Sequence, residues 1–249
     1  MSEWPMRAVP MDQVPFLACL TAEQKRSLDG RLRVRNYRAR DQVFVPGDLV
    51  PGLLFQLQGL VFLYATEVTD DRISPLLLIW PNQVYPYAMV TREEWHYHAQ
   101  ALADSTVLVI PHDAVESIVL RNLESAKRLL ITLSNQMSHA GRWLARTSGV
   151  SLRPRLGRIL VSLAENQDLA KSTDGGILLD MPLTNGRLGA LAGVSRDEAG
   201  RACRDLQRQG LVKKRAKYRL LIPDLDRLRE AALLSGEAVD MPAAVSVRF

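Results

Sequence analysis

Residues 183–210, LTNGRLGALAGVSRDEAGRACRDLQRQG, carry two helix signals separated by a turn. Thr184 can cap a first helix bearing Leu188, Leu191 and Ala192, and Gly193 ends it, since glycine tolerates the left-handed backbone of a helix C-terminus. Ser195 opens a second helix, with Glu198 three residues on completing a capping box. Ala199, Cys203 and Leu206 recur on one face as its buried stripe, and Gly210 stops it. The pattern predicts a helix-turn-helix. Its second helix places Arg196, Asp197, Gly200, Arg201 and Arg204 in the exposed N-terminal half, where such a helix meets base edges in the major groove of DNA. Arginine pairs bidentately with O6 and N7 of guanine, and aspartate accepts from the amino group of cytosine. Leu211 to Lys214 and Tyr218 to Ile222 predict a hairpin around Arg215, Ala216 and Lys217, a basic wing whose Lys213 and Lys214 suit phosphates.

Charge supports that reading. The chain has 249 residues and a formal net charge of only +5. Between Asn185 and Arg219, however, ten bases face three acids, a local charge of +7 that leaves −2 for the remainder. A basic module on a near-neutral one suits a polyanion, because Lys and Arg at phosphates release condensed counterions. At 47% hydrophobic and 24% charged residues, the composition is that of a globular protein with material for real cores, and the length suggests two domains. Cys19 and Cys203 match no metal-ligand or disulfide spacing. The N-terminus lacks a basic region followed by an apolar stretch, and no run approaches eighteen apolar residues, which predicts a soluble, cytoplasmic protein without a membrane partner.

Upstream, Val14 to Asp29 predicts short helices, with Thr21 and Gln24 as a capping box. Residues 43–45, 53–57, 60–64, 76–80 and 106–110 are short runs rich in β-branched, leucine and aromatic residues, punctuated by Pro46-Gly47-Asp48, Gly59, Asp70-Asp71 and Pro81-Asn82. They predict an antiparallel barrel or sandwich. From Asp113 to Thr147 the period becomes helical, with Leu123, Leu130, Met137 and Leu144 seven apart and Ala126, Leu133 and Ala140 in the second heptad position. So narrow a seam predicts a parallel helix pair across a dimer axis. Thr147 to Ser151 is the candidate linker, with Ser151 as cap for a helix that runs to about Gln167. Asp174-Gly175-Gly176 predicts a turn, and 177–181 a strand.

The segment Leu183 to Gly210 with its wing resembles the effector domain of the cyclic-AMP receptor protein and FNR (CRP/FNR) superfamily. In that family the second helix opens with Ser-Arg-Glu and carries another Arg four residues after the Glu. Ser195, Arg196, Asp197 and Arg201 occupy those positions, so the resemblance assigns base reading to Arg196, Asp197 and Arg201, with Asp for Glu shortening one reader. Phe44 to Asp48 and Leu54 to Tyr64 look like the family's early β-roll, and Asp113 to Thr147 like its dimer helix. The resemblance thus implies an α+β chain with a cupin-like antiparallel β-roll at 1–112, a dimerisation helix at 113–148, a winged helix-turn-helix domain at 149–235 and a tail at 236–249. It implies a homodimer on a near-palindromic operator, with RNA polymerase as a further partner.

Members that bind cyclic nucleotides use a Gly-Glu pair on the ribose and an Arg-Ser or Arg-Thr pair on the phosphate. Here those positions fall near Tyr85 to Tyr87 and at Tyr97-His98, so a cyclic phosphate has no bidentate partner and cyclic AMP is not the expected effector. Cys19 alone cannot supply the FNR-type iron-sulfur cluster. Haem stays open, with His96, His98, His112 and His139 as candidate ligands but no fixed motif. Tyr85, Tyr87, Trp95, Tyr97 and His98 form an aromatic cluster that either lines a pocket for an uncharged or aromatic effector or fills it outright. A regulatory module acting through a protein partner is the rival reading, and no nucleophile–base pair, phosphate loop or metal-spaced set points to an enzyme.

Overall fold

The computed structural model describes residues 11–66, 73–85, 94–147, 151–166 and 169–233, with the side chains at 139 and 142–147 outside the described set. The chain divides into two units, Met1–Gly141 and Arg142–Phe249. The division falls within the long helix, upstream of the expected linker, of which 148–150 lie outside the described residues, as does the tail.

The first unit opens with a 3-10 turn, Met11–Gln13, and two short helices, α1 (Pro15–Ala18) and α2 (Ala22–Leu28). The expected capping box forms: Thr21 Oγ1 accepts the Gln24 N–H at 3.2 Å and Gln24 Oε1 accepts the Thr21 N–H at 3.0 Å. Seven strands follow, β1 (Arg33–Tyr37), β2 (Gln42–Phe44), β3 (Gly52–Gln58), β4 (Val61–Thr66), β5 (Ile73–Ile79), β6 (His98–Ala101) and β7 (Ser105–Pro111). They make two antiparallel sheets, β1-β7-β3 and β2-β6-β4-β5.

Strand alternation sorts the side chains into two cores. Leu54 and Val109 pair across β3 and β7 and face the interior between the sheets, with Phe44, Val61, Leu63 and Ile79. The next pair along, Phe55 and Leu108, faces the other way, onto Phe16, Leu17, Val115 and Leu129. Each such large apolar side chain contributes roughly 1.5–3 kcal/mol when fully buried.

The single helix expected from Asp113 to Thr147 is interrupted. A short α3 (His112–Ala114) runs into a π-helical turn, Val115–Val119, in which the Leu120 N–H reaches the Val115 carbonyl at 2.9 Å. Asn122 then starts afresh: its Oδ1 accepts the Ser125 N–H at 3.0 Å, capping α4 (Leu123–Thr147). One side of α4 lies on its own β-roll. Leu129 is buried there, Ser125 Oγ donates to the Phe16 carbonyl at 2.5 Å, and Gln136 Oε1 accepts the Val84 N–H at 3.2 Å.

The second unit contains α5 (Leu152–Ala164), β8 (Ala170–Thr173), β9 (Gly176–Leu179), α6 (Asn185–Ala192), α7 (Arg196–Arg208), β10 (Lys213–Lys214), a 3-10 turn (Ala216–Tyr218), β11 (Leu220–Ile222) and α8 (Leu225–Leu233). Its four strands pair in the order β10-β11-β9-β8. Helices α5 to α8 pack together over buried Leu156, Leu160, Leu188, Leu206 and Leu228. Ser151 occupies the N-cap of α5 as expected, yet its hydroxyl makes no capping bond, and α5 ends at Ala164 instead of near Gln167. Among the described residues no helix is long and apolar enough to cross a membrane.

Candidate nucleic-acid interface

The interface is built on α6, α7 and the β10–β11 wing. Thr184 Oγ1 accepts the Arg187 N–H at 3.2 Å and starts α6. Gly193 closes it at φ 66°, ψ 38°, where a side chain would be strained. The turn is tight because Gly189 lies against it: a Cβ there would stand 2.7 Å from the Val194 carbonyl oxygen. Arg155 of α5 braces this corner, Nη1 donating to the Ala192 carbonyl at 3.0 Å.

Ser195 then caps α7. Its Oγ accepts the Glu198 N–H at 3.3 Å while Glu198 Oε2 accepts the Ser195 N–H at 3.0 Å. Two acids in the first turn, Asp197 and Glu198, also suit the positive end of the helix. Ala199, Ala202, Cys203 and Leu206 turn inward. Asp197, Arg201, Arg204 and Arg208, spaced four, three and four apart, share one exposed stripe, with Arg196 exposed at its leading end. Arg208 is paired with Asp205, but among the described residues no ion pair takes up Arg196, Arg201 or Arg204. A row of uncommitted guanidinium groups on a helix N-terminal half is equipped to meet guanine edges and phosphates.

One expectation for this helix changes. Gly200 is buried and does not present itself to a groove: a Cβ on it would lie 2.8 Å from Asn185 Nδ2, so it is the point where α6 closes on α7. Thr184 and Ser195, also expected at the DNA, each accept a capping bond at the hydroxyl and so fix the starts of α6 and α7. Arg208, absent from the expected set, completes the stripe, and its spacing from Arg204 was the signal.

In the wing, Lys213 pairs with Leu221 and Lys214 with Leu220, leaving both ammonium-bearing side chains exposed. Its base is fixed by Asp180, which binds Lys171 and, at 2.7 Å, Arg219. The hydrogen bond from Lys171, then the charges of Arg219 and Lys171, hold the Asp180 carboxyl below its ordinary range.

The aromatic cluster splits by face. Tyr85, Trp95 and Tyr97 lie in the β-roll interior, where Phe44 stacks on Trp95 with ring centroids 3.8 Å apart. Tyr85 donates to Gln56 Oε1 at 2.5 Å, and burial, with Tyr37 nearby, pushes its phenol well above the usual range and keeps it neutral. His98 is not with them. Alternation along β6 puts Ala99 inside and His98 outside, stacked on Tyr64 at 4.9 Å. Tyr87 lies outside the described residues. His98 Nε2 faces Thr66 Oγ1 at 3.4 Å, His112 Nε2 meets the Val50 carbonyl at 3.0 Å, and the Nδ1 atoms of both are buried. Neither Nδ1 atom has a hydrogen-bond partner among the described residues, His96 is exposed, and the side chain of His139 lies outside the described set.

On α4, Leu123, Leu130 and Met137 are 71%, 66% and 77% exposed, an apolar row that no described residue covers. Leu133 departs from that row, half-buried against its own β-roll, and Ala126 and Ala140 are intermediate. The side chain of Leu144 lies outside the described set.

A β-roll unit followed by a winged helix-turn-helix defines a DNA-binding transcription regulator. Residues 154–231 match the family model "Crp-like helix-turn-helix domain". The chain is similar to the transcriptional activator protein FnrL of Cereibacter sphaeroides, at 21% identity over 85% of each chain. It is also similar to the cAMP-activated global transcriptional regulator Vfr of Pseudomonas aeruginosa, at 23% identity over 74% of this chain and 86% of that one. A CRP-family transcriptional regulator of Thermus thermophilus shares the fold with a TM-score of 0.70 at 20% identity, covering 80% of this chain and 95% of that one. Residues 154–231 are thus a Crp-like helix-turn-helix domain, and over most of its length the chain is similar to transcription regulators of the CRP/FNR kind.

Proposed function

We propose that the chain acts as a homodimer, presenting two copies of α7 to successive major grooves of a near-palindromic operator about 34 Å apart. The observation that carries this is the exposed stripe of Asp197, Arg201 and Arg204 behind Arg196, on a helix whose start is fixed by the Ser195–Glu198 box. In this reading Arg196, Asp197 and Arg201 read bases, Arg204, Lys213 and Lys214 hold phosphates, and Thr184 and Ser195 set the helices. The bare row Leu123, Leu130 and Met137 on α4 supports pairing with a second copy, since large apolar rows are seldom left in water.

The effector, in this reading, is not cyclic AMP. The position that the resemblance assigns to the phosphate-binding arginine holds Tyr97, buried beside Phe44 and Trp95, and among the described residues no buried charged side chain accompanies it. A signal in the β-roll would reach α4 through such contacts as Gln136 to Val84 and alter the pairing of the two copies. The protein would work in the cytoplasm with RNA polymerase downstream.

The test is competition between an operator and unrelated duplex DNA. Arg196→Ala is expected to lose most of the preference for the operator while keeping salt-sensitive binding to any duplex. Unchanged preference would remove α7 as the reading helix.

A further inference from the structure

At the tip of the wing, Lys217 and Tyr218 both have positive φ, 57° and 61°, and the Arg219 N–H closes on the Ala216 carbonyl at 3.3 Å. Two successive left-handed residues inside a bond of that span are the mark of a type I′ turn, for which Asn-Gly is the favoured pair. Lys and Tyr are poor choices there, because a Cβ in this region meets the backbone and a bulky side chain makes it worse. The conformation is nonetheless fixed. Arg215 N–H donates to the Arg219 carbonyl at 2.8 Å, and the Tyr218 carbonyl accepts the Leu183 N–H at 2.9 Å.

The strain serves to hold two side chains outward. Tyr218 is 68% exposed, the one aromatic ring among the large hydrophobic side chains left exposed in the described residues. It sits in the exposed run Lys213, Lys214, Arg215, Ala216, Lys217, and no acidic residue occurs between Asp205 and Asp224. The Leu183 bond ties the tip to the residue before the Thr184 cap of α6, so ring and cations move with the helix-turn-helix. A strained backbone that is kept against better turn residues points to use of the side chains it displays.

We propose that Tyr218 is a DNA-contacting residue that the wing carries into the minor groove flanking the major groove occupied by α7. There the ring packs on sugars, while Lys217 and Arg215 straddle the phosphates. Such a contact reads groove width, because a narrow A·T-rich minor groove concentrates negative potential. The wing would thereby add specificity outside the bases that α7 reads. This inference rests on the DNA-binding reading above.

The experiment uses the full chain and its selected operator, with the flanking base pairs made all A·T or all G·C. Wild type should favour A·T flanks roughly five- to tenfold and protect the flanking minor groove from hydroxyl radicals. Lys217→Asn with Tyr218→Gly supplies the favoured turn pair, so Tm should hold or rise while the flank preference and protection vanish and operator-core selectivity persists. Tyr218→Gly alone should do the same in smaller measure. Retained flank preference in these variants, or a fall in Tm in both, overturns the proposal, the latter by making the tip structural. Normal DNA binding with lost transcription in vitro would place the tip on polymerase and overturn it too. A wild type that selects no operator overturns the DNA-binding reading itself, a distinct result.

Discussion

Glu198 Oε2 lies 2.6 Å from the Ser195 hydroxyl and 3.0 Å from the Ser195 N–H, so one carboxylate closes the start of the recognition helix from two directions. Ser195→Ala removes the bond to the Glu198 N–H and the hydroxyl's bond to the Glu198 carboxylate. A loss of about 1 kcal/mol in stability is expected. Thermal unfolding should show the drop, and operator binding should weaken as the first turn carrying Arg196 and Asp197 frays.

The glycines of the motif should separate by cost. At Gly189 an added methyl meets the Val194 carbonyl at 2.7 Å, which is backbone, so Gly189→Ala should destabilise by roughly 1–3 kcal/mol. At Gly200 the methyl meets the side-chain end of Asn185, which can move. Gly200→Ala should therefore cost less, and Asn185→Ala should recover part of it in a double-mutant cycle read by denaturant unfolding.

Neighbouring leucines on α4 should answer opposite questions. Leu129 is buried in its own core, and Leu129→Ala should destabilise the chain by roughly 2–5 kcal/mol. Leu130 is exposed, and Leu130→Glu with Met137→Glu should leave the fold intact while shifting sedimentation toward the monomer. A double variant with wild-type sedimentation would refute pairing through this face.

Asp180 makes the wing acid-sensitive. Its folded-state pKa is depressed, by the Lys171 hydrogen bond first and then the charges of Arg219 and Lys171. Its contribution is thus present above the ordinary aspartate value of about 3.9 and is lost as pH falls through the lower folded value. Wild type should lose stability on acidification over that window, and Asp180→Asn should flatten the profile there. Identical pH profiles would show that the two ion pairs contribute nothing.

How far the sequence could be read depended on how local each signal was. The α6–α7 motif is written in caps, a glycine and a 3.6 period within a single stretch, and it forms with those boundaries. Strands β1 and β8 leave little signal in the sequence because they are short, polar edge strands, and β1 finds its partner far away, with Arg33 opposite Val109. Strand β6 was hidden because its inward positions are alanines. His98 follows Tyr97 directly in the aromatic-rich stretch, yet adjacent strand residues face opposite ways. The break before α4 had only Asn122 to announce it, a cap without proline or glycine. Packing glycine and base-facing glycine look alike in a helix, so the role of Gly200 needed its neighbour Asn185.

The most direct measurement is selection of bound sequences from random duplex DNA by the purified full chain. The account predicts a two-fold-symmetric motif with half-sites one helical turn, about 10 base pairs, apart, and loss of specific half-site bases with Arg196→Ala or Arg201→Ala. Enrichment of an asymmetric single site, or of no sequence with or without cell extract as an effector source, would contradict it.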